Sequence, residues 1–273
     1  MSGGENAAGN TTGRCQHSAP TVRAGRSVAG GVADVPSMMR WVAPVASALS
    51  ALSAAPERDA AGDITVFFAS GCFWGRQHDL AEFERQTLGR ADSEVTAIGG
   101  YAGSADSSSP VCYYNQGGVG IYSKLGHAEA VSIRLPPTAA TLESAARVFF
   151  SSFVPLGNRT FGREDVFDQG PGYRAFIALP GGLASPLLSA VRRANLHGMS
   201  LVAGNGSDPD TFGTNRVYVL DSSAYTFHQA EVCLQFHNNQ TGDYPPSYHR
   251  LREVLLANKR LRNDTGCPSN FVC

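Results

Sequence analysis

Residues 64–79, "ITVFFASGCFWGRQHD", constrain the fold most, because two different periodicities meet there on either side of one thiol. From Asp63 to Ala69 the chain is β-branched or aromatic with no polar alternation, which predicts a strand buried on both faces. From Gly75 to about Leu88 the pattern becomes helical, with Leu80, Phe83 and Leu88 near one face. A strand that runs straight into a helix needs a tight bend, and Gly71 and Gly75 supply the freedom for it around Cys72.

Further along, "EVTAIGGYAG" (94–103) predicts a second strand, and a long polar loop (104–126) leads to a third, "HAEAVSIRL" (127–135). Strand alternation sets His127, Glu129 and Val131 on one face of that strand. "TLESAARVFFSSFV" (141–154) predicts an amphipathic helix with Thr141 as its N-cap and Ser144 in the first turn. "YRAFIAL" (173–179) reads as a strand. "SPLLSAVRRAN" (185–195) reads as a helix with Ser185 as N-cap and Pro186 at its first position. Short strands near Leu201 and over 216–220, a helix over 230–236 and a last helix over 247–259 complete the pattern. Strands and helices interleave without a strict βα repeat, which predicts an α+β, two-layer domain.

The domain is expected to span 63–262. Residues 1–62 are rich in Gly, Ala and Ser and too polar to bury a core, so they predict a disordered leader. Within it, the run from Met38 or Met39 through Arg40 and Trp41 to Ala55 has the grammar of a secretory signal set inward. Read from Met1, the same leader suits an organelle transit peptide, and a plain disordered tail is the third reading. The sequons at Asn158, Asn205, Asn239 and Asn263 favour secretion; without a targeting role for the leader, the expectation is cytoplasmic. Its apolar run falls short of the roughly 20 residues of a membrane span.

The 273 residues carry a net charge of −1, which gives no electrostatic ground for a nucleic-acid partner. The 6 cysteines form no C-x-x-C pair, so no metal site is expected. No G-x-G-x-x-G loop follows a strand, so no nucleotide or flavin cofactor is expected either.

The chemistry suggested by the bend is that of a thiolate. The first N–H groups of a helix are unpaired and carry partial positive charge, and a cysteine there becomes a nucleophile near neutral pH. The alternative for a lone cysteine is a small buried hydrophobe. Around it, "GCFWG" (71–75), "GYAG" (100–103), "GHAEAV" (126–131) and "DQGPGYRAFI" (168–177) follow one another in the order found in the peptide methionine sulfoxide reductase A family, which the chain resembles. "AEVCLQF" (230–236) resembles a later word of that family, so the likeness runs over about 63–240.

The resemblance implies a ferredoxin-like α/β plait and the reduction of methionine S-sulfoxide, free or in proteins. It implies Cys72 as the nucleophile on sulfur and Glu129 as the acid for the sulfoxide oxygen. Tyr173 would place its hydroxyl at that oxygen, and Asp168 would help hold substrate and water. Phe73 and Trp74 would wall a pocket for the S-methyl group, although one of this adjacent pair could be core. A second family tyrosine falls in a rebuilt loop, where Tyr113, Tyr114 and Tyr122 all remain open. The sulfenic acid left on Cys72 would pass to a mobile tail (263–273) with Cys267 as first resolving thiol and Cys273 as relay. A thioredoxin-like reductant, or dithiothreitol, would then restore the enzyme without any bound cofactor. Cys15, Cys112 and Cys233 receive no catalytic role, and a monomer is expected.

Several positions depart from the family pattern. Gln77 and His78 stand where an acidic residue is usual, Cys233 and Leu234 replace Tyr-His, and "FVPLGNRTFGREDV" replaces another segment. Two other functions stay open: a homologue that binds oxidised proteins without turnover, and a cysteine hydrolase using Cys72 with His127.

Overall fold

The computed structural model describes residues 62–114, 118, 120–237 and 244–268. The leader with Cys15, the sequon at Asn239 and the tail residue Cys273 lie outside the described residues.

The buried run forms β1 (Ile64–Ala69) and, after Cys72, α1 (Phe73–Gln86) starts two residues earlier than its periodicity suggests. Next come β2 (Ile98–Ala102) and β3 (Ala128–Leu135). Helix α2 (Ala139–Phe150) follows, and its N-cap is Thr138, whose hydroxyl accepts the Thr141 N–H; Thr141 is therefore inside the helix and not its cap. The end of the expected helix is instead β4 (Phe153–Gly157), which forms a hairpin with β5 (Thr160–Arg163). Then come β6 (Phe176–Leu179), α3 (Leu188–Ala194), β7 (Ser200–Ala203), β8 (Arg216–Asp221) and β9 (His228–Gln229). The helix expected over 230–236 is a 3-10 segment (Val232–His237), broken by the non-helical backbone of Gln235 and Phe236. The last helix is divided into α4 (Pro246–His249) and α5 (Leu251–Ala257).

Seven strands form one sheet in the order β7-β8-β6-β1-β3-β2-β9. Its centre, β6-β1-β3-β2, is antiparallel throughout and is crossed by α1 and α2, which is the split βαββαβ arrangement of a ferredoxin-like plait. Strands β8 and β7 extend it in parallel beyond β6. Helices α1 and α2 cover one sheet face, packing on Val66, Phe68, Val131, Ile133 and Leu135. The other face buries Phe67, Ala128, Ala130, Phe176 and Tyr218 beneath Tyr225 and Phe227. That two-sided cover explains why β1 is apolar at consecutive positions. Among the described residues no helix is long and apolar enough to cross a membrane.

Polar groups buried in this core knit its layers together. Gln77 on α1 donates to the Ala97 carbonyl at 3.1 Å and to Gln235 Oε1 at 2.7 Å, and its own Oε1 accepts the Phe236 N–H at 2.8 Å. A carboxylate could not donate to Ala97, so the departure from an acidic residue here has a local reason. Glu84, fully buried near the end of α1, accepts from the Thr96 N–H, the Thr96 hydroxyl, the Ala97 N–H and the Arg90 guanidinium. Arg90 also pairs with Asp63 at 2.9 Å, which fastens the start of β1 to the entry of β2. Glu84→Ala would leave these donors unsatisfied and is expected to destabilise the domain by about 3–5 kcal/mol. Urea unfolding of the variant and the parent checks this.

Candidate active site

Cys72 is the N-cap of α1 and 4% exposed, with an extended-type backbone (φ −59°, ψ 129°). The first N–H groups of the helix are taken by two carboxylates from elsewhere in the chain. The Cys72 N–H donates to Asp168 Oδ2 at 2.7 Å, and the Phe73 N–H donates to Glu129 Oε2 at 2.8 Å. Gly71, at φ +71°, donates its N–H to the Tyr173 carbonyl at 3.1 Å, and a Cβ there would lie 2.5 Å from Asp168 Oδ2. Only glycine fits that approach.

Glu129 sits on β3 opposite Tyr101 and is 1% exposed. Burial pushes its carboxyl up to about 8, against the pull of the Phe73 N–H and of bonds from Tyr122 and the Cys72 thiol. It therefore holds a proton at neutral pH, in hydrogen-bond contact with the thiol. Asp168 is raised to about 6, again by burial first, while the Cys72 N–H bond works to lower it. The two acids have been pushed apart, so at pH 7 one is charged and the other is not.

Two tyrosines converge on this pair. The Tyr122 hydroxyl donates to Glu129 Oε1 at 3.2 Å and is hydrogen-bonded to the side chain of Tyr173. Of the three loop tyrosines left open by the sequence, Tyr122 is the one brought to the acid. Tyr113 stacks on Tyr122 with ring centroids 5.8 Å apart, whereas Tyr114 points outward, 48% exposed. Phe73 is a core residue, edge-on to Tyr101. Trp74 is only partly buried and donates its indole N–H to the Leu234 carbonyl at 2.9 Å. An apolar ring beside a thiol, an acid and two phenols suits a small group with an apolar end and an acceptor oxygen.

Residues that the sequence did not single out hold these parts in place. Arg174, buried within the "YRAF" word, donates to the carbonyls of Pro171, Gly103 and Gly126 at 2.8, 2.6 and 3.0 Å. It ties together the ends of three of the four motif words. Glu231 accepts the Tyr101 hydroxyl and the Tyr113 N–H, both at 2.8 Å, and so supports the tyrosine stack from below. Buried arginine and glutamate inside motif words were the available signal. His127 is fully buried with its ring edge-on to His228, 5.0 Å away, and is not hydrogen-bonded to Cys72. Burial drops it to about 4, so the thiol–imidazole pair of a hydrolase does not form.

The cysteines are arranged differently from the expectation. Cys72 is a thiol. Cys267 is joined to Cys112, a residue given no role from sequence, in a disulfide across 155 positions. Cys233 is disulfide-bonded too. The tail is docked as far as Cys267, not loose: Arg262 and Gln229 exchange two hydrogen bonds, at 2.8 and 2.9 Å. Among the described residues, metal-ligand spacing is found only for Cys112, Glu231 and Cys267, and two of those ligand atoms are the disulfide sulfurs.

Residues 64–181 match the family model for peptide methionine sulfoxide reductase, a stretch that holds β1 to β6 and all four motif words. Peptide methionine sulfoxide reductase MsrA 2 of Mesorhizobium japonicum is 33% identical over 95 residues, 35% of this chain and 42% of its own length. The chain thus spans less than half of that curated relative. Methionine sulfoxide reductase A of Corynebacterium diphtheriae is 20% identical, with a TM-score of 0.42 over 68% of this chain and 79% of its own. Mxr1 from Saccharomyces cerevisiae in its reduced form is 20% identical, with a TM-score of 0.40 over 70% and 93%. The weight falls on the matched stretch, which carries the plait together with Cys72, Glu129, Asp168, Tyr122 and Tyr173, and over those residues the chain is similar to the peptide methionine sulfoxide reductase family.

Proposed function

We propose that the chain is a peptide-methionine (S)-S-oxide reductase that repairs oxidised methionine, free or in proteins. One observation carries this reading: the Cys72 thiol is hydrogen-bonded to a buried carboxyl that burial keeps protonated at neutral pH. A sulfoxide needs a nucleophile at sulfur and a proton at oxygen in the same instant, and both are supplied within one contact.

In this reading the sulfoxide oxygen accepts hydrogen bonds from Glu129 and from the hydroxyls of Tyr122 and Tyr173. Trp74 lines the methyl side, with Phe73 as its floor. Cys72 attacks sulfur as Glu129 protonates the oxygen. The oxygen ends on Cys72 as a sulfenic acid and methionine departs. Asp168 fixes the start of α1 through the Cys72 N–H and borders the site where water and substrate enter. The sulfenic acid is resolved by Cys267, and a thioredoxin-like dithiol protein returns the enzyme to its thiol state. Cys273, given the relay role from sequence, lies outside the described residues. Residues 1–62 serve as a leader to the 63–262 domain. Stereochemical choice of the S epimer follows from the family likeness.

The deciding assay is reduction of a chromophore-tagged methionine sulfoxide, resolved by epimer. Turnover of the S epimer is expected; binding without turnover would make the chain a non-catalytic reader of oxidised methionine. Cys72→Ser should abolish turnover with any reductant, because a hydroxyl is a far poorer nucleophile at neutral pH. A tenth of parental activity in that variant would remove Cys72 from the role.

Glu129 gives two linked expectations. As an acid it must be protonated, so the single-turnover rate should fall as pH rises through about 8. Glu129→Gln should slow that step by about 10²–10⁴-fold and lose this limb. Its folded pKa lies above the ordinary value, so the stability that its proton confers is full below about 4.5 and is lost as pH rises through about 8. Denaturant melts across that window should decline for the parent and flatten for Glu129→Gln.

A further inference from the structure

We infer that Cys112, Cys267 and Glu231 form a second redox centre, in which Cys267 carries the disulfide from Cys72 to the buried Cys112 and Glu231 carries the proton. This rests on the reductase reading and specifies how that enzyme is recycled. The acceptor thiol is Cys112, in the loop before β3, and not a second thiol of the tail.

Three features of the pair support it. First, the two sulfurs differ in access: Cys112 is fully buried and Cys267 is partly exposed. Thiol exchange requires approach along the S–S axis, so an incoming reductant can attack only Cys267 and must expel Cys112. Secondly, a proton carrier is at hand, since a Glu231 carboxylate oxygen and both sulfurs lie within 4.8 Å of one another. Burial raises the Glu231 carboxyl, which suits a group that holds a proton between steps.

Thirdly, the tether is long enough. The tail is anchored at Arg262 by its two bonds to Gln229, and Asn263, Asp264 and Gly266 beyond it are exposed. Five residues from Arg262 to Cys267 reach up to about 17 Å once the disulfide opens. Glu231, beside both sulfurs, holds the Tyr101 hydroxyl at 2.8 Å, and Tyr101 stacks on Tyr122 with ring centroids 4.7 Å apart. Tyr122 donates to the Glu129 carboxyl that bonds the Cys72 thiol, so the tyrosine stack lies between the disulfide and the Cys72 site. On that tether Cys267 can visit both Cys72 and Cys112. Cys112 itself is held still: its N–H bonds the Gly120 carbonyl at 2.7 Å, and its carbonyl accepts the Tyr122 N–H at 2.9 Å.

The steps balance. The Cys267 thiol attacks the sulfur of the Cys72 sulfenic acid; an S–S bond forms, the S–O bond breaks and water leaves. Cys112 passes its proton to Glu231 and attacks the Cys267 sulfur, which expels Cys72 as a thiolate. The structure corresponds to this stage, with Cys72 a thiol and the Cys112–Cys267 bond formed. A dithiol protein reductant then attacks Cys267, and Cys112 leaves, recovering its proton from Glu231; the reductant's second thiol attacks its own sulfur in the mixed disulfide, which releases Cys267 as a thiol and the reductant as a disulfide. Two electrons have moved from the reductant to the sulfoxide.

The test uses the full chain, completely reduced, desalted and given one equivalent of methionine sulfoxide before alkylation and peptide mapping. The expected result is one methionine, an alkylated Cys72 and a Cys112–Cys267 bridge. Methionine with the oxidation left on Cys72 or moved to Cys233, and Cys112 alkylated, would overturn the second centre and leave the reductase standing. So would a Cys112–Cys267 bond that resists reduction in the folded protein. Absence of methionine would remove both. A thioredoxin-type protein lacking its second active-site thiol should be trapped on Cys267; trapping on Cys72 or Cys112 contradicts the order of attack. Cys112→Ser should accumulate a Cys72–Cys267 bridge, and the wild-type mapping decides should that variant fold poorly. Glu231→Gln should remove one ionisation from the pH profile of the pair's reduction rate, a change that a merely structural carboxyl would not produce; an unaltered profile takes the proton role from Glu231.

Discussion

The start of α1 is the point on which the rest of the structure depends. Its leading N–H groups are bonded by Asp168 and Glu129, which approach from the loop before β6 and from β3. These two bonds do the work of a helix cap, since Cys72 makes no side-chain cap bond. They also bring an acid against the thiol. Helix capping and the meeting of thiol and acid are here one arrangement, and the glycine at 71 is its geometric condition.

Burial decides what the acids can do. Both carboxyls lie in the same bend, yet Glu129 is pushed up to about 8 and Asp168 only to about 6. The difference follows from surroundings: Glu129 faces the tyrosine stack and the apolar side of the sheet, whereas Asp168 feels the positive charges of Arg163 and Arg76. One fold thus keeps a neutral acid and a carboxylate a few bonds apart. Arg174 fixes this geometry from behind, spending its guanidinium on backbone carbonyls in a place where water has no access.

The disulfide connects the site to the part of the chain that the family model does not cover. Cys267 lies beyond the matched stretch, and Cys112 lies inside it on the loop that carries Tyr113 and Tyr122. Glu231, from the segment after β9, touches both the tyrosines and the sulfurs. The additions around the plait are therefore coupled to its centre through one carboxylate.

Local pattern was enough for an α+β, two-layer domain and for the bend at Cys72, while the plait and the roles of the candidate site residues came from the resemblance of the motif words. The uninterrupted apolar run of β1, its switch to helical spacing at Cys72, and the alternation that turns Glu129 and Val131 to the helix-covered face can all be read along the chain, because each is set by residues a few positions apart. Where competing local signals met, the reading failed: Thr138 took the cap expected at Thr141, and Phe153 onward left the helix for a hairpin closed by distant hydrogen bonds. Other features are invisible to periodicity because they join residues far apart. The choice of Tyr122 over Tyr113 and Tyr114, the fit of Gln77 to Gln235 and the pairing of Cys112 with Cys267 each depend on which surfaces the folded sheet brings together. Sequence determined which groups the chain has to offer, a thiol at a bend and an acid inside a motif word; tertiary structure decided their protonation and their partners, because burial and long-range contact exist only in the folded chain.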